Sequence, residues 1–283
     1  MKVLLMAPPG TGKSTVIETV VRQFAGPKRG IVARELLDES GKRAGFTSVD
    51  RDGRARQFMF YSNEPKPESI DGFNVDIEAI DSFVVPAIKP TGDDAKTLIY
   101  VDEIGRAQAK SANFVNTVRE LLGKDTALLA SVVYDDEPWA KQFKEHPDVC
   151  LLEVTAENRN HLPEILLAAY NQASAIRRLN KLQRERLSAM LKDLLGKGQF
   201  IAARKLFNNA VVYVTENKIV LKREQGTVRH YKIKGQTRDH TITWDRSAEQ
   251  FTCDCDLANG RGDFTGKPEP CSHQLSLALV NFA

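Results

Sequence analysis

The chain has 283 residues, 42% hydrophobic and 27% charged, with 40 Lys+Arg, 37 Asp+Glu and a net charge of +3. This is globular composition, which excludes collagen-like, low-complexity and disulfide-dense secreted classes, and no apolar run is long enough to span a bilayer. The small total conceals two unlike parts: residues 1–175 hold 21 cations against 26 acids, whereas residues 176–283 hold 19 against 11.

Element by element, the first part alternates strand and helix signals. KVLLMA (2–7) reads as a buried strand and KSTVIETVVRQFA (13–25) as an amphipathic helix. GIVARELL (30–37) is a second strand. RAGFTSVD (43–50) and RARQFMFY (54–61) flank Asp52-Gly53 and predict a hairpin. VDIEAIDSFVVPAI (75–88) returns to helix. TLIYVD (97–102), ALLASVVY (127–134) and VCLLEV (149–154) are apolar strands separated by helical patterns. The alternation predicts an α/β fold with a mostly parallel sheet covered by helices.

From about Asn160 a single long helical pattern runs to the Gly-Lys-Gly at 196–198, and residues 176–205 carry nine Lys+Arg and two acids. After it AVVYVT (210–215), KIVLKR, TVRHYKIKG and HTITWD read as strands. The expected division is a nucleotide-binding domain over 1–175, then a basic helical segment and a small β-rich domain over 176–283. The N-terminus MKVLLMAPPG lacks signal-peptide anatomy, and four cysteines are too few for a secreted scaffold; the expected location is the cytoplasm, with no membrane contact.

APPGTGKST (7–15) follows a strand and opens a helix, the context a phosphate-binding loop requires. Pro9, Gly10, Thr11, Gly12, Lys13, Ser14 and Thr15 would bind the nucleotide. Backbone N–H groups from Gly10 to Lys13 cradle the phosphates, Lys13 reaches the terminal ones, and the Ser14 hydroxyl meets Mg²⁺. LIYVDEIG (98–105) places Asp102 at the end of a strand as the second Mg²⁺ ligand, acting through water. Glu103 is positioned to orient or deprotonate an attacking water, so Lys13 and Glu103 are the expected catalytic pair of an Mg²⁺-dependent NTP hydrolase.

PPGTGKST, GKRAGF (41–46), VDIEAID (75–81), VDEIGRAQAKSANF (101–114) and DVCLLEVTAENRNHL (148–162) occur in the order seen in THEP1-type nucleoside triphosphatases. The resemblance covers about residues 1–170. It implies a P-loop α/β fold and Mg²⁺-dependent hydrolysis of NTPs with little base selectivity. It supports Lys13, Ser14, Asp102 and Glu103 in the roles above. One departure stands out: the family usually continues D-E-I-G-x-M-E, and this chain has Ala107 and Gln108 after Arg106. Arg43 and Arg106 are candidate cationic stabilisers of the transferring phosphate, each with an ion-pair role as the alternative.

Cys253, Cys255, Cys271 and His273 form C-x-C, a Gly/Pro/Asp-rich loop, then C-x-H. Three thiolates and an imidazole make a closed tetrahedral set, which is what structural Zn²⁺ prefers. The arrangement resembles the SWIM zinc finger over about residues 227–283 and implies recognition of nucleic acid or protein rather than chemistry. Cations at 218, 222, 232 and 234 could share one strand face, with His230, Tyr231 and Trp244 either stacking on bases or lying in a core. Cys150 reads as a buried core thiol. The alternatives to an NTP hydrolase coupled to a partner are a P-loop nucleotide or polynucleotide kinase and a non-catalytic NTP switch.

Overall fold

The structure is a computed structural model describing residues 1–64, 66–67, 69–92, 94–235, 238–248, 250–255 and 269–280. The chain divides into two compact units, residues 1–163 and 164–283. The division falls within the helix Leu162–Asn171.

The first unit is built on eight strands: β1 (Lys2–Met6), β2 (Lys28–Leu37), β3 (Arg43–Asp50), β4 (Ala55–Tyr61), β5 (Phe73–Val75), β6 (Leu98–Ile104), β7 (Ala127–Val132) and β8 (Val149–Glu153). They lie in the order β5-β4-β3-β2-β6-β7-β1-β8. Neighbours from β2 to β8 pair in parallel, as expected, while β2 to β5 continue the sheet antiparallel. The strands β1, β6 and β7 read as continuous apolar runs because both faces of a parallel sheet are covered; all six residues of β7 are buried. β7 inserts between β1 and β6, so the phosphate loop and Asp102 leave the sheet two strands apart.

The predicted hairpin at Asp52-Gly53 is present. Asp50 Oδ1 accepts from the backbone N–H of Asp52 and Arg54, and Gly53 takes φ +79°, a value that favours glycine. Where β2 meets β6, Gly30 adopts φ +150°, and a Cβ there would lie 1.9 Å from the Tyr100 carbonyl oxygen. Any larger residue at 30 would force the two strands apart. The helix α1 (Lys13–Gln23) buries Val16, Ile17 and Val20, and α2 (Ala112–Gly123) buries Phe114, Val118, Leu121 and Leu122. Asp94, 4% exposed, is held by the Arg29 guanidinium from β2, which also donates to the carbonyls of Ala87 and Lys89. Cys150 is buried in the sheet, as read.

In the second unit the single long helix expected from 160 to 198 is three helices, Leu162–Asn171, Ala173–Arg178 and α3 (Lys181–Gly196). Asn180 interrupts it: its side chain accepts from the Gln183 N–H while the Gln183 side chain accepts from the Asn180 N–H. That reciprocal pair is a helix start, so the basic run cannot be one rod. A second expectation is corrected at AVVYVT. Residues 206–210 form a π-turn and Val211–Thr215 an α-helix, where a strand was expected. Val211 and Ala210 are fully buried, and the segment packs against α4 (Ser272–Val280); burial among helices outweighs the strand preference of β-branched side chains.

The remaining strand readings hold. β9 (Ile219–Gln225), β10 (Val228–Ile233), β11 (His240–Asp245) and β12 (Gln250–Cys253) form an antiparallel meander. Tyr231, Ile233, Ile242, Trp244 and Leu277 pack with three cysteines in one small core. Tyr231 and Trp244 are therefore core side chains, with Trp244 stacked on Phe251 at 5.6 Å.

Candidate functional site

β1 ends at Met6 and α1 begins at Lys13, so six residues turn the chain beneath the helix N-terminus. Gly10 and Gly12 take φ +78° and +113°, left-handed values that favour glycine. Gly12 is the N-cap and has no side chain to occupy the first N–H groups of α1, which leaves those donors directed at the loop. Thr11 Oγ1 donates to the Pro8 carbonyl at 2.8 Å, and Lys13 Nζ donates to the Ala7 carbonyl at 2.7 Å. The fold thus concentrates a cation and a helix N-terminus at one point, a geometry suited to polyphosphate.

Asp102, at the C-terminal end of β6, is 2% exposed. Its Oδ1 accepts from Ser131 Oγ of β7 at 2.7 Å, while its Oδ2 is buried without a hydrogen-bond partner among the described residues. Burial pushes this carboxyl up from its ordinary range, against the pull of the Ser131 and Ser14 hydroxyls and of Lys13. A proton or a divalent cation would satisfy a buried, unpartnered carboxyl oxygen, and the serine hydroxyl beside it supplies a second oxygen donor for a cation. The donor set of Ser14 and Asp102 thus fits Mg²⁺. Glu103 is half-buried; burial raises its carboxyl above the usual range and Lys13 opposes the rise. A carboxylate raised in this way is a stronger base than an ordinary one, which suits a group that accepts a proton.

Arg106 lies on the same loop but is exposed and doubly paired, donating through Nε to Glu137 at 2.6 Å and through Nη2 to Asp135 at 2.8 Å. Arg43 pairs with Glu35 and sits over the Phe46 ring at 5.3 Å. Sequence reasoning missed Arg159. Its Nη1 donates to the Thr11 carbonyl at 3.4 Å, and its Cδ would lie 3.6 Å from a Cβ on Gly12. The available signal was its place just beyond β8, the strand that pairs with β1.

The second candidate site is the cysteine–histidine cluster. Cys253 ends β12, Cys255 follows, Cys271 precedes α4 and His273 lies in its first turn. All four are buried, none of the cysteines is in a disulfide, and the ligand atoms lie within 4.8 Å of one another. Cys253 Sγ and His273 Nδ1 are 3.7 Å apart; ligands at metal–sulfur bond lengths on a tetrahedron are separated by roughly 3.8 Å. The hydrogen bond from Cys253 holds the Cys271 thiol below its ordinary value against the effect of burial, while Cys253 itself is pushed up. One easily formed thiolate amid buried thiols and an imidazole would hold a soft divalent metal such as zinc. His273 is stacked on Tyr213, and the His240 ring lies 4.1 Å away, paired to Asp254. The loop expected between the two ligand pairs lies, up to residue 268, outside the described residues.

Among curated proteins the chain is 28% identical over 170 residues to Nucleoside-triphosphatase THEP1 of Thermotoga sp. (strain RQ2), covering 59% of this chain and 94% of that one. It is 31% identical over 170 residues to Nucleoside-triphosphatase THEP1 of Methanocaldococcus jannaschii, covering 59% and 95%. The crystal structure of THEP1 from Aquifex aeolicus superposes with a TM-score of 0.53 at 24% identity, over 59% of this chain and 96% of that one, which shows the shared fold. The family described as NTPase matches residues 2–167, the span holding the phosphate loop, Asp102, Glu103 and Arg159, and this chain belongs to that family.

Proposed function

We propose that this NTPase hydrolyses Mg·NTP at the first unit's phosphate loop, and that the second unit is a zinc-dependent recognition module of the SWIM type. The loop N–H groups and Lys13 hold the polyphosphate, and Ser14 and Asp102 hold the cation. The bound Mg²⁺ supplies charge neutralisation of the terminal phosphates. Glu103 orients the attacking water and accepts its proton. Arg159 is an added candidate for the phosphates beside Thr11, and Arg106 would have to leave Asp135 and Glu137 to reach them.

The observation that carries the hydrolytic reading is the buried, unpartnered Asp102 Oδ2 with Ser14 and Glu103 beside it. For the second unit the support is the convergence of Cys253, Cys255, Cys271 and His273. Zinc there contributes folding energy and takes no part in hydrolysis. The proposed partner is a nucleic-acid backbone. Support comes from exposed Lys222 and Lys234, while Lys218 and Lys232 are paired to Glu216 and Asp239. A protein partner is the other outcome of the test below. No helix among the described residues is long and apolar enough to cross a membrane, and a cytoplasmic location is part of this proposal.

The test is phosphate release by the zinc-loaded full chain with single-stranded DNA, duplex DNA or RNA across a salt series. Stimulation by one nucleic acid that fades with salt is expected. Indifference to all three would move the second unit to protein contacts, and undiminished turnover in Lys13→Ala would remove the phosphate-loop assignment.

A further inference from the structure

Between Lys13 at the start of α1, Glu103 at the end of β6 and the antiparallel extension β3–β5 lies a cavity of about 390 Å³. It lies on the terminal-phosphate side of the loop: Lys13 and Glu103 line it, and no described residue following β8 does. Arg159, which follows β8, marks the other side of the loop at Thr11. A single water takes about 30 Å³, so hydrolysis alone does not require a space of this size, whereas small-molecule sites begin at roughly 300 Å³.

The cavity's far wall is aromatic. Phe46 lies between Phe58 and Phe73, at ring-centroid distances of 6.5 Å and 6.4 Å. Near Glu103 the lining includes Gln108, 4% exposed. The amide and the carboxylate converge: a Cβ on Gly105 would lie 3.1 Å from Gln108 Oε1 and 3.4 Å from Glu103 Oε2. A ligand carrying a matching donor and acceptor would pair with this amide in place of water.

From these features we infer that the cavity is an acceptor site for a nucleoside, to which the chain transfers the terminal phosphoryl group of its NTP. The planar base lies against the phenyl wall, its edge reads the Gln108 amide, and a sugar hydroxyl faces Glu103 and Lys13. The hydroxyl oxygen forms a bond to the γ-phosphorus as the bond from that phosphorus to the β–γ bridging oxygen breaks. The electron pair leaves with the nucleoside diphosphate, and the hydroxyl proton passes to the Glu103 carboxylate and on to solvent. The products are a nucleoside monophosphate and a nucleoside diphosphate. This inference rests on the NTP site proposed above and adds a second substrate to it.

The experiment supplies the full chain with Mg·ATP labelled in the γ-phosphate and a panel of ribo- and deoxyribonucleosides, and separates label in phosphate from label in nucleotide. Nucleoside binding is also titrated calorimetrically with a non-hydrolysable ATP analogue already bound, so that the ATP base position is filled. Labelled monophosphate from at least one nucleoside is expected. Phe73→Leu should raise the nucleoside KM by ~3- to 10-fold while phosphate release without nucleoside is unchanged. Gln108→Leu should raise it by ~10-fold or more. Normal phosphate release with no labelled monophosphate and no heat of nucleoside binding would overturn the acceptor site and leave hydrolysis standing. Absent phosphate release would remove the hydrolytic reading, and the calorimetric titration alone would then decide the acceptor site, with absence of heat overturning it.

Discussion

The phosphate site and the cysteine–histidine cluster are built on opposite principles. The first is assembled from loops at the ends of separate strands, with Thr11 and Arg159 brought together across 148 positions of chain. Its scaffold, the eight-stranded sheet and its covering helices, buries a large core that owes nothing to the ligand. The second is gathered from one strand end and one helix start, and its would-be ligands Cys253, Cys255 and Cys271 are themselves members of the small core they sit in. A zinc ion held there, as proposed, would contribute folding energy that its removal takes away, whereas altering the first site would remove chemistry and leave its scaffold standing.

The sharpest way to break that contrast is to remove the metal. Cys271→Ser should lose the proposed zinc and with it a stabilisation of roughly 10–16 kcal/mol, which is more than a small unit retains. In a Trp139→Phe background, which leaves Trp244 as the one tryptophan, its stacking on Phe251 reports the loss by fluorescence, while phosphate release by the first unit persists. An unchanged Trp244 signal in metal-free protein would mean that this core closes without metal, and the two sites would not differ as described.

The complementary change takes chemistry from the first unit without unfolding it. Glu103→Gln keeps the shape and removes the proton acceptor, so kcat should fall by about 10²- to 10⁴-fold with NTP affinity retained. Turnover within severalfold of the unaltered chain would assign the proton to another group. Stability there resides elsewhere, in pairs such as Arg29–Asp94. Arg29→Ala leaves the buried Asp94 carboxylate without its counter-charge and should destabilise the first unit by about 3–5 kcal/mol, read by urea unfolding, with the Trp244 signal in the same Trp139→Phe background unaffected.

These contrasts also explain what could be read from sequence. The phosphate loop was legible because glycines with positive φ, a lysine and a following helix must be contiguous, and because β1 and α1 announce themselves by period. The cysteine–histidine set was legible for the same reason, its members being two short pairs. Arg159 was not, because its role depends on β8 lying beside β1, and nothing local to residue 159 says so. The acids that hold Arg106 sit after β7, again a matter of sheet order. AVVYVT misled for a different reason: its residues favour a strand in isolation, and only burial among helices makes them helical.

The smallest expected effect separates activity from stability by pH. Glu103, the proposed base, and Asp102, the proposed metal ligand, are both raised by burial, so both carboxylates are lost as pH falls through values above the ordinary carboxylate range. A raised carboxyl destabilises the fold above its folded pKa, and protonation relieves that penalty; acidification through this window therefore does not unfold the unit on its account. Asp94 and Asp50 behave oppositely. Burial alone would raise both, but hydrogen bonds from Arg29 and Thr91 to Asp94, and from Arg54 to Asp50, hold them below their usual values. Their stabilisation is complete above the unfolded pKa and is lost only as pH falls through the lower, folded one. Turnover should thus decline about tenfold per pH unit on the acid side while near-UV circular dichroism of the first unit stays constant, with unfolding only at distinctly lower pH. Coincidence of the two transitions would show that acid inactivates this protein by unfolding it, and Glu103 would lose its place as the titrating base.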